Sequence, residues 1–226
     1  VGNLSGDPGA VRQSVAGLPG TFNKDDLVYP DAGGAEITGL VSHSGVLLAF
    51  TENAVYQVAP DFRSSVAVSL GVGCVAPRSI SAMPDGTLMW LGRDGFYAMR
   101  RLGDIVRVSA AIDKSFKLDV NQSRVHMAVS TIDSESKEYR CALAPSGDSE
   151  NKLMFCFDGQ FWRRQTLGIH IADMCGSKDW RQYTFAIGAD PRERATPWKE
   201  TSSSSEWNYD PVSRVFVMNH QTTDYF

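Results

Sequence analysis

The sequence predicts an all-β protein of propeller-like blades, each a sheet of four antiparallel strands, and three observations carry that prediction. Short runs of β-branched, aromatic and aliphatic residues recur from Glu36 onward, punctuated by Gly, Asp, Asn and Pro. These runs group in fours, and the groups begin at about residues 37, 80, 126 and 171, a spacing of 43 to 46 residues. Several runs, "LMFCF" among them, are apolar on both faces, as strands buried between two layers must be. One blade cannot cover its own apolar faces, whereas stacking against the next blade buries them. About four blades are legible, which reads as an incomplete ring of a longer chain. A β-sandwich is the alternative, because strands with turns every roughly 8–12 residues also suit that fold.

Taken in order, residues 1–35 are rich in Gly, Pro and Asp and read as a loop-rich N-terminal segment with one short strand, Asp26–Tyr29. Residues 36–226 form the propeller-like domain. Its first blade comprises the runs Glu36–His43, Val46–Thr51, Ala54–Ala59 and Ser64–Leu70. The second has Pro77–Met83, Thr87–Gly92, Gly95–Arg100 and Ile105–Ser109. The third has His126–Asp133, Glu138–Ala144, Lys152–Phe157 and Gln160–Thr166. A weaker fourth has Ile171–Cys175, Tyr183–Ala189, Ser205–Tyr209 and Arg214–Asn219. Residues 109–123 give the one helix candidate, with Ser109 as cap and Ile112, Phe116 and Val120 on one face. Residues 190–206, "DPRERATPWKETSSSSE", read as a long polar loop, either a docking arm for a neighbouring subunit or a surface loop.

Overlaying the first two blades assigns the repeat core. Ile37 matches Ile80, Leu40 matches Met83, Gly45 matches Gly86, Phe50 matches Trp90, and Tyr56 matches Tyr97 with one extra residue in the turn. The third blade keeps the end of the pattern in Phe157, Asp158-Gly159 and Trp162. These eight apolar positions, Ile37, Phe50, Tyr56, Ile80, Trp90, Tyr97, Phe157 and Trp162, are expected in the core and between blades.

The 226 residues, 42% hydrophobic and 21% charged, suffice for a sizeable core. A net charge of −4 argues against wrapping nucleic acid by phosphate neutralisation. Arg93, Arg100, Arg101 and Arg107 are the best basic patch, with Asp94 and Asp104 nearby to make it an ordinary strand edge. Neither of the longest uncharged stretches, 37–51 and 64–77, reaches the roughly 20 apolar residues of a membrane span. No signal peptide is visible, and a start at Val1 without Met reads as a piece of a longer protein. Four cysteines without a C-x-x-C pair make no disulfide scaffold. A symmetric hairpin around "PSGDSEN" is expected to set Cys141 opposite Cys156, as a cross-strand disulfide or, more simply, as two buried thiols.

The sequence contains no phosphate-binding loop, zinc-protease motif, nucleophile elbow or EF-hand. "GVGCVA", residues 71–76, fits a dinucleotide fingerprint, but Pro77 and a strand follow where a helix is required. His43, His126, His170 and His220 stand singly without metal-ligand spacing, and His126 and His170 are expected inside strands. Glu52, Asp85, Asp94 and Asp158 sit in turns, where local hydrogen bonding explains them. Tyr56, Trp90, Tyr97 and Trp162 could stack sugars or bases, but core packing is the simpler role. No catalytic, cofactor-binding or metal-binding residue is assigned, and a non-enzymatic protein is expected.

"GVGCVAPRSI" (71–80) followed by "GTLMWLGRDGFY" (86–97) resembles the tail nozzle (tail tubular B-type) and tail accessory or stabilisation proteins of short-tailed bacteriophages, over about residues 36–166. The resemblance implies a structural virion protein, assembled in the host cytoplasm, forming a ring of its own copies, most often hexameric, around the DNA exit channel. It implies an adaptor or portal-side protein and tail fibres or spikes as partners, with genomic DNA only as passing cargo. "PDGTLMW" (84–90) also resembles the Asp-box turn of sialidase-like propellers. That likeness supports the alternative of a glycan-binding or sialidase-like propeller acting on host-surface carbohydrate.

Overall fold

In the computed structural model, residues 1–133, 136–167 and 170–176 are described, together with the later strands at 184–188, 196–200, 208–210, 215–218 and 223–225. The fold is all-β. The strands are β1 (Gly2–Leu4), β2 (Asp7–Val15), β3 (Leu18–Val28), β4 (Gly39–His43), β5 (Val46–Phe50), β6 (Ala54–Val58) and β7 (Ser65–Leu70). They continue with β8 (Ser81–Ala82), β9 (Leu88–Gly92), β10 (Gly95–Met99) and β11 (Ile105–Arg107). After a short helix α1 (Asp113–Asp119) come β12 (Val129–Asp133), β13 (Glu138–Leu143), β14 (Leu153–Phe157) and β15 (Trp162–Thr166). The last are β16 (Asp173–Gly176), β17 (Thr184–Gly188), β18 (Thr196–Glu200), β19 (Asn208–Asp210), β20 (Val215–Met218) and β21 (Thr223–Tyr225).

These make an N-terminal sheet β1-β2-β3, a first blade β4-β5-β6-β7, a second blade β8-β9-β10-β11, and two five-stranded sheets, β12-β13-β14-β15-β21 and β16-β17-β18-β20-β19. Alternation along each strand sends successive side chains to opposite faces, and each face meets a different neighbour. Val11, Val28 and Ile37 meet Ala49 and Val58 between the N-terminal sheet and the first blade. Leu48, Phe50 and Val55 meet Leu88, Trp90, Tyr97 and Met99 between the first and second. Met89, Leu91 and Phe96 meet Tyr139, Cys141, Phe155 and Trp162 between the second and third. Ala142, Met154 and Cys156 meet Ile171 and Met174 between the third and fourth. Sheets buried on both faces are blade-like; a two-sheet sandwich would bury only one face of each.

Local chemistry sets the hairpins. Ser44 and Gly45 both have positive φ, 51° and 80°, as the two-residue turn that matches strand twist requires. In the second blade Asp85 accepts from Thr87 N at 2.9 Å and Gly86 takes φ 84°. In the third, Asp158 Oδ1 accepts from Gln160 N and Phe161 N at 2.8 and 2.7 Å, with Gly159 at φ 101°.

Several expectations are corrected. The loop-rich N-terminal segment is instead a three-stranded sheet whose longest strand, β3, ends at Val28. The Gly and Pro residues that suggested loops occupy turns and one close approach: a Cβ on Gly9 would lie 2.9 Å from Gly34 O. The run 77–83 is a 3-10 turn, Pro77–Ser79, followed by the two-residue β8, because Pro77 withholds the N–H a ladder needs. His126 lies in the 3-10 segment Gln122–Met127, ahead of β12, and His170 lies in a loop. The helix over 109–123 shortens to a 3-10 turn, Ala110–Ile112, plus α1, and Val120 is extended. Ser109 does not cap it; its Oγ accepts from Phe96 N at 3.0 Å. Of the polar loop 190–206, residues 196–200 are β18 and the rest lies outside the described residues.

Two register expectations also change. β13 and β14 pair Cys141 with Phe155 and Cys156 with Arg140. Cys141 and Cys156 therefore point to opposite faces of their sheet, and both are buried thiols with no disulfide between them. In the repeat, Phe50 pairs with Val55 and Leu91 with Phe96. Phe50 thus corresponds to Leu91, with no extra residue in the turn. Phe50 and Trp90 are partners across the blade interface rather than equivalents, their ring centroids 5.4 Å apart edge to face.

Candidate recognition groove

One rim of the stack carries the hairpin between β5 and β6, the hairpin between β9 and β10, and the crossover from β7 into the second blade. The crossover is the "GVGCVA" stretch. Gly71 N donates to Asn53 O at 2.7 Å, Cys74 N to Thr51 O at 2.9 Å, and Val75 N to Leu91 O at 3.0 Å. Trp90 Nε1 donates to Gly73 O at 3.1 Å. A Cβ on Gly73 would lie 2.2 Å from Thr51 O and 2.6 Å from the backbone nitrogens of Asn53 and Ala54. The glycines let a connecting strap lie flat on a hairpin, and no nucleotide-binding turn forms. Cys74 is sealed beneath the strap, and burial pushes its thiol up to about 12.

Above the strap lies a cavity of about 780 Å³ bounded by Asn3, Glu36, Glu52, Arg93, Gln122 and His126. A neighbouring cavity of about 430 Å³ shares Glu36, Thr38 and Glu52 with it and adds Asp31 and Tyr56. Four segments distant in sequence converge here: the N-terminal sheet, the two hairpins, and the 3-10 segment after α1. Glu36 accepts from Asn3 Nδ2 at 2.8 Å. Glu52 is ion-paired with Arg93, whose Nε donates at 3.2 Å. Asp31 accepts from Ala35 N at 2.9 Å and Tyr56 OH at 3.1 Å; the Ala35 N–H holds its carboxyl below the usual range. Burial, then the bond to Asp31, pushes the Tyr56 phenol up. Tyr97, buried and donating to Asp94 at 2.6 Å, rises to about 12.

Such groups keep their charge state near neutral pH: the Asp31 carboxyl stays ionised and the phenols stay protonated. The groove offers charged and amide groups for contact. Among the described residues, no three His, Cys, Asp or Glu side chains are placed to hold a metal ion. No helix of the described residues is long and apolar enough to cross a membrane.

The eight core positions divide among interfaces. Phe50, Trp90 and Tyr97 come together, with Ile80 packed against them, and Trp90 stacks on Tyr97 at 6.2 Å. Phe157 stacks on Trp162 at 4.7 Å, and Trp162 Nε1 donates to Val108 O at 2.8 Å. Ile37 faces the N-terminal sheet, and Tyr56 turns the same way to reach Asp31. The arginine patch separates into local pairs: Arg93 with Glu52, Arg107 with Asp113 at 2.6 Å, and Arg100 with Asp85 at 3.3 Å. Arg93 and Arg100 flank opposite ends of β10, so they never form one surface. Asn3, Asp31 and Glu36 escaped sequence reasoning because only the N-terminal sheet, itself unread, brings them to the groove. His220 lies outside the described residues.

Compared with known proteins, the chain matches no family model and no curated sequence.

Proposed function

We propose that the chain is a non-enzymatic structural component of a bacteriophage tail, in which stacked blades form part of the wall of a nozzle-like ring. Copies of the chain join one another, an adaptor or portal-side protein joins on one side, and tail fibres or spikes join on the other. DNA passes through the ring without being held, as the net charge of −4 favours. The observation that carries this reading is the structural employment of the reactive groups. Glu52, Asp85, Asp94 and Asp158 each hold a hairpin or an ion pair, which leaves the molecular surface for assembly. The resemblance over residues 36–166 supports a phage tail as that assembly. A glycan-binding propeller needs an aromatic face open to solvent, and Tyr56, Trp90, Tyr97 and Trp162 are all buried.

The test is immuno-electron microscopy with an antibody against the purified chain, alongside a glycan array. Labelling at the tail of virions with no glycan binding is expected. Glycan hydrolysis, or virions whose tails stay unlabelled, would overturn the reading.

A further inference from the structure

We infer that copies of this chain associate head to tail, the β2–β3 hairpin of one copy lying along the free β7 edge of the next. The inference deepens the assembly role proposed above by naming its two surfaces.

The donor surface is an arm. Residues 16–23, at the far end of the β2–β3 hairpin, are all exposed. The ladder holds their hairpin together through Ser14 opposite Phe22 and Val15 opposite Leu18. The stretch "AGLPGTFN" carries no charge, and Leu18 and Phe22 are 57% and 37% exposed. A hairpin that shows apolar side chains on a projecting tip is marginal alone and gains from a surface to lie on.

The acceptor surface is a strand edge. Among the described residues β7 pairs with β6 alone, so its outer edge carries no further strand. Natural edge strands are guarded by Lys, Pro, bulges or shortness. β7, "SVAVSL", has six residues with no charge and no Pro; its one guard is a bulge at Val68, and on either side of it Val66 and Leu70 are 68% and 74% exposed. The comparable edge of the second blade is guarded: β11 has three residues and ends in Arg107. That of the third sheet is closed, because β21 has added to β15. The same position in a sheet of this molecule therefore accepts an added strand. Arm and edge are both uncharged, so their contact desolvates no ion.

Because arm and edge are different surfaces, the contact is heterologous and propagates into a ring or a filament. A hairpin tip on one edge covers less than the roughly 800 Å² per partner of a standard interface. Association of two copies is therefore weak, and it strengthens only when a ring closes.

The experiment is sedimentation equilibrium of the 226-residue chain from micromolar to near-millimolar concentration. Two variants are compared: an arm variant, Leu18→Asp with Phe22→Asp, and an edge variant, Val66→Lys with Leu70→Lys. All four positions are exposed, so unchanged circular dichroism and urea midpoints are expected. The wild-type mass should rise with concentration while each variant stays monomeric. An equimolar mixture of the two variants should form dimers and nothing larger, since only one intact arm and one intact edge can meet. A monomeric wild type, variants that still associate, or a mixture that stays monomeric would each overturn the inference. None of those results bears on virion labelling, so this contact and the tail role fail separately.

Discussion

Replacing Trp90 with alanine tests the stacking of the first and second blades at its centre. The indole is fully buried, edge-on to Phe50 at 5.4 Å and stacked on Tyr97 at 6.2 Å. An aromatic side chain buries on the order of 200 Å², which at about 25 cal/mol per Å² is worth roughly 5 kcal/mol. Truncation of such residues costs about 3–5 kcal/mol. The lost bond to Gly73 O adds about 1 kcal/mol by leaving a strap carbonyl without its donor. A loss of about 4–6 kcal/mol is expected, read as a lowered midpoint in urea followed by far-UV circular dichroism. Trp90→Phe, which keeps a ring against Phe50 but loses the N–H, should cost about 1–2 kcal/mol. A loss below about 1.5 kcal/mol for the alanine variant would refute the argument, since no interface residue of that size is so cheaply removed.

Gly73→Ala should destabilise by roughly 3 kcal/mol or more, because its Cβ meets fixed backbone of the neighbouring hairpin. Gly86→Ala, whose Cβ meets open space, should pay only the positive-φ strain of about 1–2 kcal/mol; equal urea midpoints for the two would sink the strap. Glu138 bonds to Arg140 at 3.1 Å and to Arg163 Nε at 2.9 Å, all three side chains less than one-fifth exposed. Glu138→Ala should therefore cost about 3–5 kcal/mol, and a loss below about 1 kcal/mol would mean that the network is not what fixes this face. His170 Nδ1 accepts from Asn151 N at 2.9 Å, and burial lowers its pKa. Its stabilising contribution is complete above its unfolded pKa of about 6.5 and is lost as pH falls toward the folded value. His170→Gln should flatten stability over that window, and an unchanged pH profile would contradict the assignment.

The blades were legible because each of their central strands is buried on both faces. Apolar runs such as Leu88–Gly92 and Leu153–Phe157 keep their signature whatever they pack against. The N-terminal sheet was not legible for the opposite reason. Its arm, residues 16–23, is exposed, so alternation never develops there, and only the base of the hairpin, through Val11 and Val28, packs on the first blade. The misplacement of Cys141 opposite Cys156 is a one-residue error in pairing, which in a sheet reverses the face on which a side chain lies. Phe50 and Trp90 look equivalent by size and position in the sequence, and only the register reveals them as contacting partners. Of the groove, Glu52 and the glycine strap were visible as turn residues. Their meeting with Glu36 and His126 depends on tertiary packing that no local pattern encodes.

β21 returns to pair with β15 after the chain has completed its fourth sheet. The fourth sheet is thereby a detour between two neighbouring strands of the third, entered after Thr166 and left before Thr223. A pull applied at Tyr225 passes through the β15–β21 ladder straight into the third sheet. The fourth sheet lies off that load path and feels no tension until those bonds part.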